Sequence, residues 1–177
     1  MPVNIEIKAR VTNIEALKAR IESLYNIKPK EILQVDTFFS IEKGRLKLRS
    51  FSKDKGELIF YERNNSTGPK RSDYYIYKTD EPETLNQVLK LYLGIRGVVR
   101  KKRLLFLVGN TRIHLDEVEN LGSFLELEVV VSPGQNEYEG KQIAEDFMRK
   151  LEVNERDLID LAYIDLLEKQ NLSKEIQ

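Results

Sequence analysis

Thr111–Val131 reads TRIHLDEVENLGSFLELEVVV. In its first part Arg112, His114 and Asp116 alternate with Ile113 and Leu115. After the connection Glu119-Asn120-Leu121-Gly122, the residues Glu126 and Glu128 alternate with Leu125, Leu127 and Val129. A period of two is that of a β-strand, and two such strands joined by a short connection form an antiparallel pair. The polar face of that pair carries three carboxylates pointing one way. They repel one another unless a cation or basic groups lie between them.

The same sorting recurs outward from this stretch. Val3–Val11 places Glu6 and Lys8 on one face, with Ile5, Ile7 and Ala9 on the other. RLKLRSF sets Arg45, Lys47 and Arg49 against Leu46 and Leu48, and GVVRKKRLLFLV puts Lys101 and Arg103 in phase. ELIFYER alternates Leu58 and Phe60 with Ile59, Tyr61 and Arg63. An antiparallel sheet with one solvated face produces such a pattern through ordinary cross-strand pairing. A concave charged channel produces it equally well, and alternation alone does not separate the two. Carboxylate ligands without cysteine suit a hard ion such as Mg²⁺ or Mn²⁺. Lys and Arg beside such a cluster suit phosphate oxygens, the guanidinium as a planar fork and the ammonium as a point charge.

Helices separate the strand groups. Thr12 and Glu15 have capping-box spacing ahead of the stripe Ile14, Leu17, Ile21 and Leu24. Pro82 opens a second helix that Gly94 terminates. Further strands are expected at Ile32–Ile41 and over SDYYIYK, with the polar loop NNSTGPKR before the latter. After a strand ending at Pro133-Gly134, two helices are expected over Tyr138–Leu151 and Asn154 to about Lys169, with 171–177 as a frayed tail to a single domain of residues 1–170. The order β-α-β-β-β-β-α-β-β-β-α-α is α+β with antiparallel sheet. Neither a GxGxxG nor a Walker A pattern is present.

The chain has 177 residues, with 29 Lys plus Arg, 29 Asp plus Glu, one histidine and no cysteine. Zero cysteines exclude a disulfide scaffold, a thiolate metal site and a thiol nucleophile. A formal net charge of zero gives no global pull toward nucleic acid or membrane. The longest apolar run, Leu104–Val108, is far too short to span a bilayer, and the N-terminus lacks a signal-peptide core. The expectation is a cytoplasmic protein, with no nucleic-acid or membrane partner and its oligomeric state open, a homodimer included.

The charged segments together resemble the CYTH superfamily, the triphosphate tunnel metalloenzymes. Its ExExK signature stands here as Asn4-Ile5-Glu6-Ile7-Lys8, and a QxDTYF-like segment as Gln34-Val35-Asp36-Thr37-Phe38-Phe39. RLKLR, GPKRS, VVRKKR and HLDEVENLGSFLELE follow in order along nearly the whole chain, and the overall pattern is most similar to the class IV adenylyl cyclase-like branch. The resemblance implies a closed eight-stranded antiparallel β-barrel with a charged interior and flanking helices. It implies Glu6, Asp116, Glu126 and Glu128 as ligands of one or two Mg²⁺ or Mn²⁺ ions. It implies Lys8, Lys47, Arg49, Arg63, Lys101 and Arg103 around a small-molecule triphosphate, with Arg112 joining from the face of Asp116 and Lys70 from its loop. Lys8, Lys101 and Arg103 are the residues assigned to catalysis. His114 is expected to line the pocket or fill a structural role, and Tyr61 either to contact substrate or to pack.

Two departures bear on mechanism. Asn4 replaces the first glutamate of the signature and removes one carboxylate. Phe38 stands where thiamine triphosphatase-like members carry a tyrosine, which argues against their mode of water activation. The expected activity is metal-dependent hydrolysis of an inorganic, nucleoside or thiamine triphosphate. Cyclisation of ATP to cyclic AMP and pyrophosphate is the alternative reaction, and a non-catalytic nucleotide- or polyphosphate-binding module the alternative class.

Overall fold

A computed structural model describes residues 3–132, 134 and 136–175. The strands are β1 (Val3–Arg10), β2 (Lys30–Phe39), β3 (Arg45–Ser52), β4 (Lys55–Arg63), β5 (Lys70–Thr79), β6 (Ile95–Val108), β7 (Thr111–Val118) and β8 (Gly122–Val131). They close into one barrel in the order β1-β5-β4-β3-β2-β6-β7-β8, with every neighbouring pair antiparallel. Closure leaves no free sheet edge and turns the two strand parities into an inside and an outside. The helices are α1 (Ile14–Tyr25), α2 (Pro82–Leu93), α3 (Glu137–Lys150) and α4 (Tyr163–Glu175). The expected α+β class and closed barrel are the observed architecture.

The apolar parity faces outward; over β1, β6, β7 and β8 it is covered by α1 and α3, while Leu33, Tyr75 and Tyr77 on the other wall are exposed. Ile5, Ile7, Ile113, Leu115, Leu125, Leu127 and Val129 are buried with Ile21 of α1 and Ala144 and Phe147 of α3. Burying each large aliphatic side chain contributes about 1.5–3 kcal/mol, so the core lies between barrel and helices and frees the interior for charge. α3 lies so close to β1 that a Cβ on Gly140 would stand 2.8 Å from Ile5 Cγ1. Asn13, one residue later than expected, caps α1 by accepting from the Ala16 N–H at 3.0 Å. The predicted terminus of α2 is found at Gly94, with φ 74°.

The single helix expected over Asn154–Lys169 is broken. A 3₁₀ turn at Glu155–Asp157 leads into an extended strap over 158–162, and α4 begins only at Tyr163. Backbone pairing draws the strap out of helical conformation: Leu158 bridges Ala9, and Ile159 N–H donates to the Lys8 carbonyl at 2.9 Å. The Asp165 carboxylate accepts from Ala162 N–H at 3.0 Å and so caps the delayed helix. A second core of Phe38, Val99, Val118, Phe124, Ala162, Tyr163 and Ile164 seats the strap beneath the barrel. A Cβ on Gly97 would stand 2.5 Å from Ile164 Cδ1, so glycine allows this approach. α4 continues through Glu175, while 176–177 and the strand-ending Pro133 lie outside the described residues.

Candidate active site

The barrel encloses a cavity of about 360 Å³. Lys47 and Arg49 on β3 reach it, as do Arg63 on β4, Lys101 and Arg103 on β6, and Arg112 on β7. Lys8, Glu6, Glu126 and Glu128 also line it. β8 is four strands from β3 around the barrel in either direction, so Glu126 and Glu128 oppose Lys47 and Arg49 across it. The parity pattern is therefore a concave channel and not a flat solvated face. Ala162 of the strap and Tyr163 at the start of α4 contribute to one end of its lining.

Each charge has assigned partners. Asp36 is clamped by Arg49, Nε to Oδ1 at 2.8 Å and Nη2 to Oδ2 at 2.9 Å, and by Lys47 at 3.0 Å. Burial opposes ionisation of Asp36, but Arg49 and Lys47 outweigh it and hold the carboxyl well below the usual range. Lys8 Nζ lies 3.0 Å from Glu126, donates to the Leu161 carbonyl at 3.2 Å and sits 3.7 Å from the centre of the Tyr163 ring. Arg63 donates one N–H to Glu6 at 3.0 Å, while its Nε and Nη2 are buried without hydrogen-bond partners. A guanidinium with spare buried donors is an anion receptor waiting for oxygens. Gln34 Oε1 is likewise buried without a partner.

Asp116 is fully buried and works as a hub. Arg103 grips it with Nε at 2.7 Å and Nη2 at 2.6 Å, Lys101 lies at 3.3 Å, and the Tyr163 hydroxyl donates at 3.0 Å. Burial opposes its ionisation, and Arg103 with Lys101 overrides that and depresses its pKa. Arg103 Nη2 also donates to Glu126 at 2.6 Å, so the guanidinium stands between Asp116 and Glu126. The four carboxylates expected to hold metal are thus not gathered in one cluster. Glu6 is paired with Arg63, and Asp116 is screened behind Arg103. Burial raises the pKa of Glu6, with Glu128 and Glu126 adding to the rise against the pull of Arg63.

The carboxylates that do converge are Glu126 and Glu128, and His114 joins them. One ligand atom from each of the three lies within 4.8 Å of the others. Cross-strand register pairs His114 with Glu126 directly and Arg112 with Glu128. A buried imidazole nitrogen without a partner, beside two carboxylates, fits a bound divalent cation. His114 entered the sequence reading only as a pocket-lining or structural residue. Its phase with Asp116 was the one signal that placed it inside.

Lys70 is not brought to the cavity. Its ammonium donates to the carbonyls of Ser66 at 2.9 Å, Ile159 at 3.1 Å and Asp160 at 3.4 Å. From the β5 parity whose Ser72 and Tyr74 line the cavity, it ties the polar loop to the strap. Tyr61 does line the cavity, with Lys47 Nζ 5.6 Å from its ring centre. Tyr163, which the sequence reading placed inside a continuous helix, is an additional site residue.

A closed antiparallel barrel with inward charges and outward apolar faces is a triphosphate tunnel fold. The chain belongs to the CYTH domain family, whose model matches residues 3–163. Among solved structures, the PH1012 protein from Pyrococcus horikoshii OT3 is 30% identical with a TM-score of 0.82, over 92% of this chain and 98% of that one. A candidate adenylate cyclase from Vibrio parahaemolyticus is 17% identical with a TM-score of 0.77, over 93% and 97% of the two chains. A candidate adenylyl cyclase from Hippeastrum, whose dominant activity is that of a triphosphatase, is 15% identical with a TM-score of 0.64, over 96% of each chain. No curated protein sequence matches the chain. Among the described residues, no helix is long and apolar enough to cross a membrane.

Proposed function

We propose that this protein is a divalent-metal-dependent enzyme that hydrolyses a triphosphate and releases orthophosphate. The observation that carries the reading is the placement of charge: Glu126 and Glu128 on β8 face Lys47 and Arg49 on β3 across an enclosed cavity. A phosphate chain laid between them meets cations on one wall and a metal-holding pair on the other. Glu126 and Glu128 would hold the ion, and Glu6 is near enough to raise the local negative charge. When bound, such an ion polarises phosphoryl oxygens and lowers the pKa of a coordinated water.

The protein's own groups supply the rest. Arg63 offers its unpaired donors to phosphate oxygens, and Arg103 and Lys101 are held rigid by Asp116 for the same task. Donors fixed in advance on a transferring phosphoryl group stabilise its developing charge without reorganising. Lys8, turned toward Glu126, neutralises the carboxylate wall where substrate charge arrives. The Hippeastrum relative supports hydrolysis within this fold, since its triphosphatase activity dominates. Cyclisation of ATP is the second reading, favoured by one feature: Ile32, Phe51, Ile76 and Leu105 line the cavity toward the end opposite the strap. That apolar collar suits the organic part of a nucleotide.

Incubation with Mg²⁺ or Mn²⁺ and, separately, ATP, tripolyphosphate and thiamine triphosphate tests the reading. Orthophosphate release is expected, with the organic substrates ahead of tripolyphosphate. Cyclic AMP with pyrophosphate selects the cyclase, and no turnover of any of the three sinks the enzymatic assignment.

The pH dependence follows from Lys47. Burial, aided by the neighbouring Arg49, pushes its ammonium down to about 7. Near neutrality it is therefore partly deprotonated until an anion enters. Binding tripolyphosphate at pH 7.5 is expected to take up a fraction of a proton at Lys47, seen by calorimetry in buffers of different ionisation enthalpy. KM should rise as pH climbs from about 7 to 9. In Lys47→Arg, whose guanidinium stays charged, the share of this uptake that belongs to Lys47 disappears. Equal uptake in both proteins removes Lys47 as its source.

A further inference from the structure

His114 sits on the wall where the carboxylates converge, and its surroundings are unusual for a buried histidine. Its side chain is 5% exposed. Nδ1 is buried and has no hydrogen-bond partner. It lies 3.9 Å from Glu126 Oε2 and 3.7 Å from Glu128 Oε1, too far for a hydrogen bond to either. Leaving a buried polar nitrogen unpaired is unfavourable, so the position asks for an occupant between the three groups. The other oxygens of the two glutamates are engaged: Glu126 Oε1 with Lys8 and Glu128 Oε2 with Arg112. Glu126 Oε2, the oxygen on the side of Nδ1, also accepts from Arg103 Nη2 at 2.6 Å, so a cation there shares that oxygen with the guanidinium and takes Glu128 Oε1 for itself. A cation at the centre satisfies all three.

Asn4 is the second part of the pattern. It lies two residues before Glu6 on the same face and is buried. With its carboxamide oxygen turned to the guanidinium, it accepts from Arg112 Nη2 at 3.0 Å. Asn4 therefore adds no charge to the wall and is occupied in steadying the arginine that steadies Glu128.

We propose that His114 is a metal ligand through Nδ1, completing with Glu126 and Glu128 a mixed nitrogen–oxygen site. The proposal rests on the metal-dependent reading above and names the ion that site prefers. Two carboxylates and one imidazole are a poorer match to Mg²⁺, which favours oxygen donors, and a better one to Mn²⁺ or Co²⁺. Selection for such ions then comes from one neutral nitrogen in place of a third carboxylate.

The probe is Mn²⁺ alone, without substrate. Electron spin-echo spectra of the Mn²⁺-loaded protein should show ¹⁴N modulation that changes to the ¹⁵N pattern when histidine is ¹⁵N-labelled. His114→Ala should weaken Mn²⁺ binding at least about tenfold, since even removing a group that merely supports a ligand costs roughly 10–100-fold. His114→Asn places an amide oxygen near the position of Nδ1. It should recover much of the Mn²⁺ affinity, lose the nitrogen modulation and narrow the preference for Mn²⁺ over Mg²⁺. Circular dichroism of the metal-free variants checks that each is folded. Tight Mn²⁺ binding without nitrogen modulation, and with His114→Ala unchanged, overturns the role of His114 and leaves the metal-dependent reading standing. Absence of Mn²⁺ binding to the unaltered protein overturns both.

Discussion

Replacing Glu126 and Glu128 together by Gln is expected to lower metal-dependent turnover by about 10³-fold or more, the several kcal/mol that a bound ion supplies to a transition state. Gln keeps the size and hydrogen-bonding shape of Glu but not its charge or its affinity for a cation. The barrel should survive because the neighbouring cations keep other partners. Arg103 retains Asp116, and Lys8 retains the Leu161 carbonyl and the face of Tyr163. The measurement is kcat across a Mn²⁺ titration, with circular dichroism as the control for folding. The single variants separate two causes. Glu128 is paired with Arg112, and Glu126 with Lys8 and Arg103. If the glutamates serve only to order cations, Glu126→Gln raises KM and leaves the metal dependence as it was. If they hold metal, both singles shift the Mn²⁺ titration to higher concentration. A double variant that turns over at the original rate sinks the assignment.

Much of this site was legible because strand parity is a strict code. With a period of two, Lys47 and Arg49, or Glu126 and Glu128, must share a face, and closing the sheet decides which face is enclosed. The identity of the convergent residues needed register as well. His114 stands opposite Glu126 only because β7 and β8 pair as they do. Asp116 belongs to the same face as Glu126, yet Arg103 from β6 occupies the space between them. No spacing along one strand reports a side chain inserted from another.

The strap was illegible for a different reason. Its residues continue an apolar pattern compatible with a helix, and Asn154 with Asp157 imitates a cap. What keeps 158–162 extended is non-local: the carbonyls of Ile159 and Asp160 receive Lys70, and that of Leu161 receives Lys8. Lys70 was expected near the phosphates because GPKRS resembles a stretch of the class IV adenylyl cyclase-like branch. The same three-carbon reach past Cβ that would take it there takes it to the strap. Burial, with Arg63 nearby, lowers its pKa to about 8, so its ammonium is held by carbonyl dipoles in place of a carboxylate.

Asp116→Asn should produce the largest loss of stability of any single change in the barrel interior. The substitution leaves Arg103 and Lys101 buried and removes the carboxylate that Arg103 grips in two places. Breaking a buried pair by neutralising one partner costs about 3–5 kcal/mol. For a chain of this size that lowers Tm by roughly 6–20 °C. The pH dependence fixes the cause. Because the folded carboxyl titrates below its unfolded value of 3.8, its contribution is present above that pH and fades as pH falls through the folded value. The difference in stability between the parent and Asp116→Asn should therefore be widest near neutrality and narrow in acid. Thermal unfolding followed from pH 2 to 7, well into the window below 3.8, makes the comparison. A gap that stays constant over that range means that packing or the Tyr163 hydrogen bond, and not charge, is what the substitution removed. The compensated triple Asp116→Leu, Arg103→Met and Lys101→Met gives an independent check, because exchanging the carboxylate and both cations that it pairs for apolar groups removes the stranded charge. It should recover much of the lost Tm while abolishing turnover, since the guanidinium aimed at the phosphates goes with it. Stability and activity would then part company at one buried ion cluster, as expected if Asp116 acts by positioning Arg103.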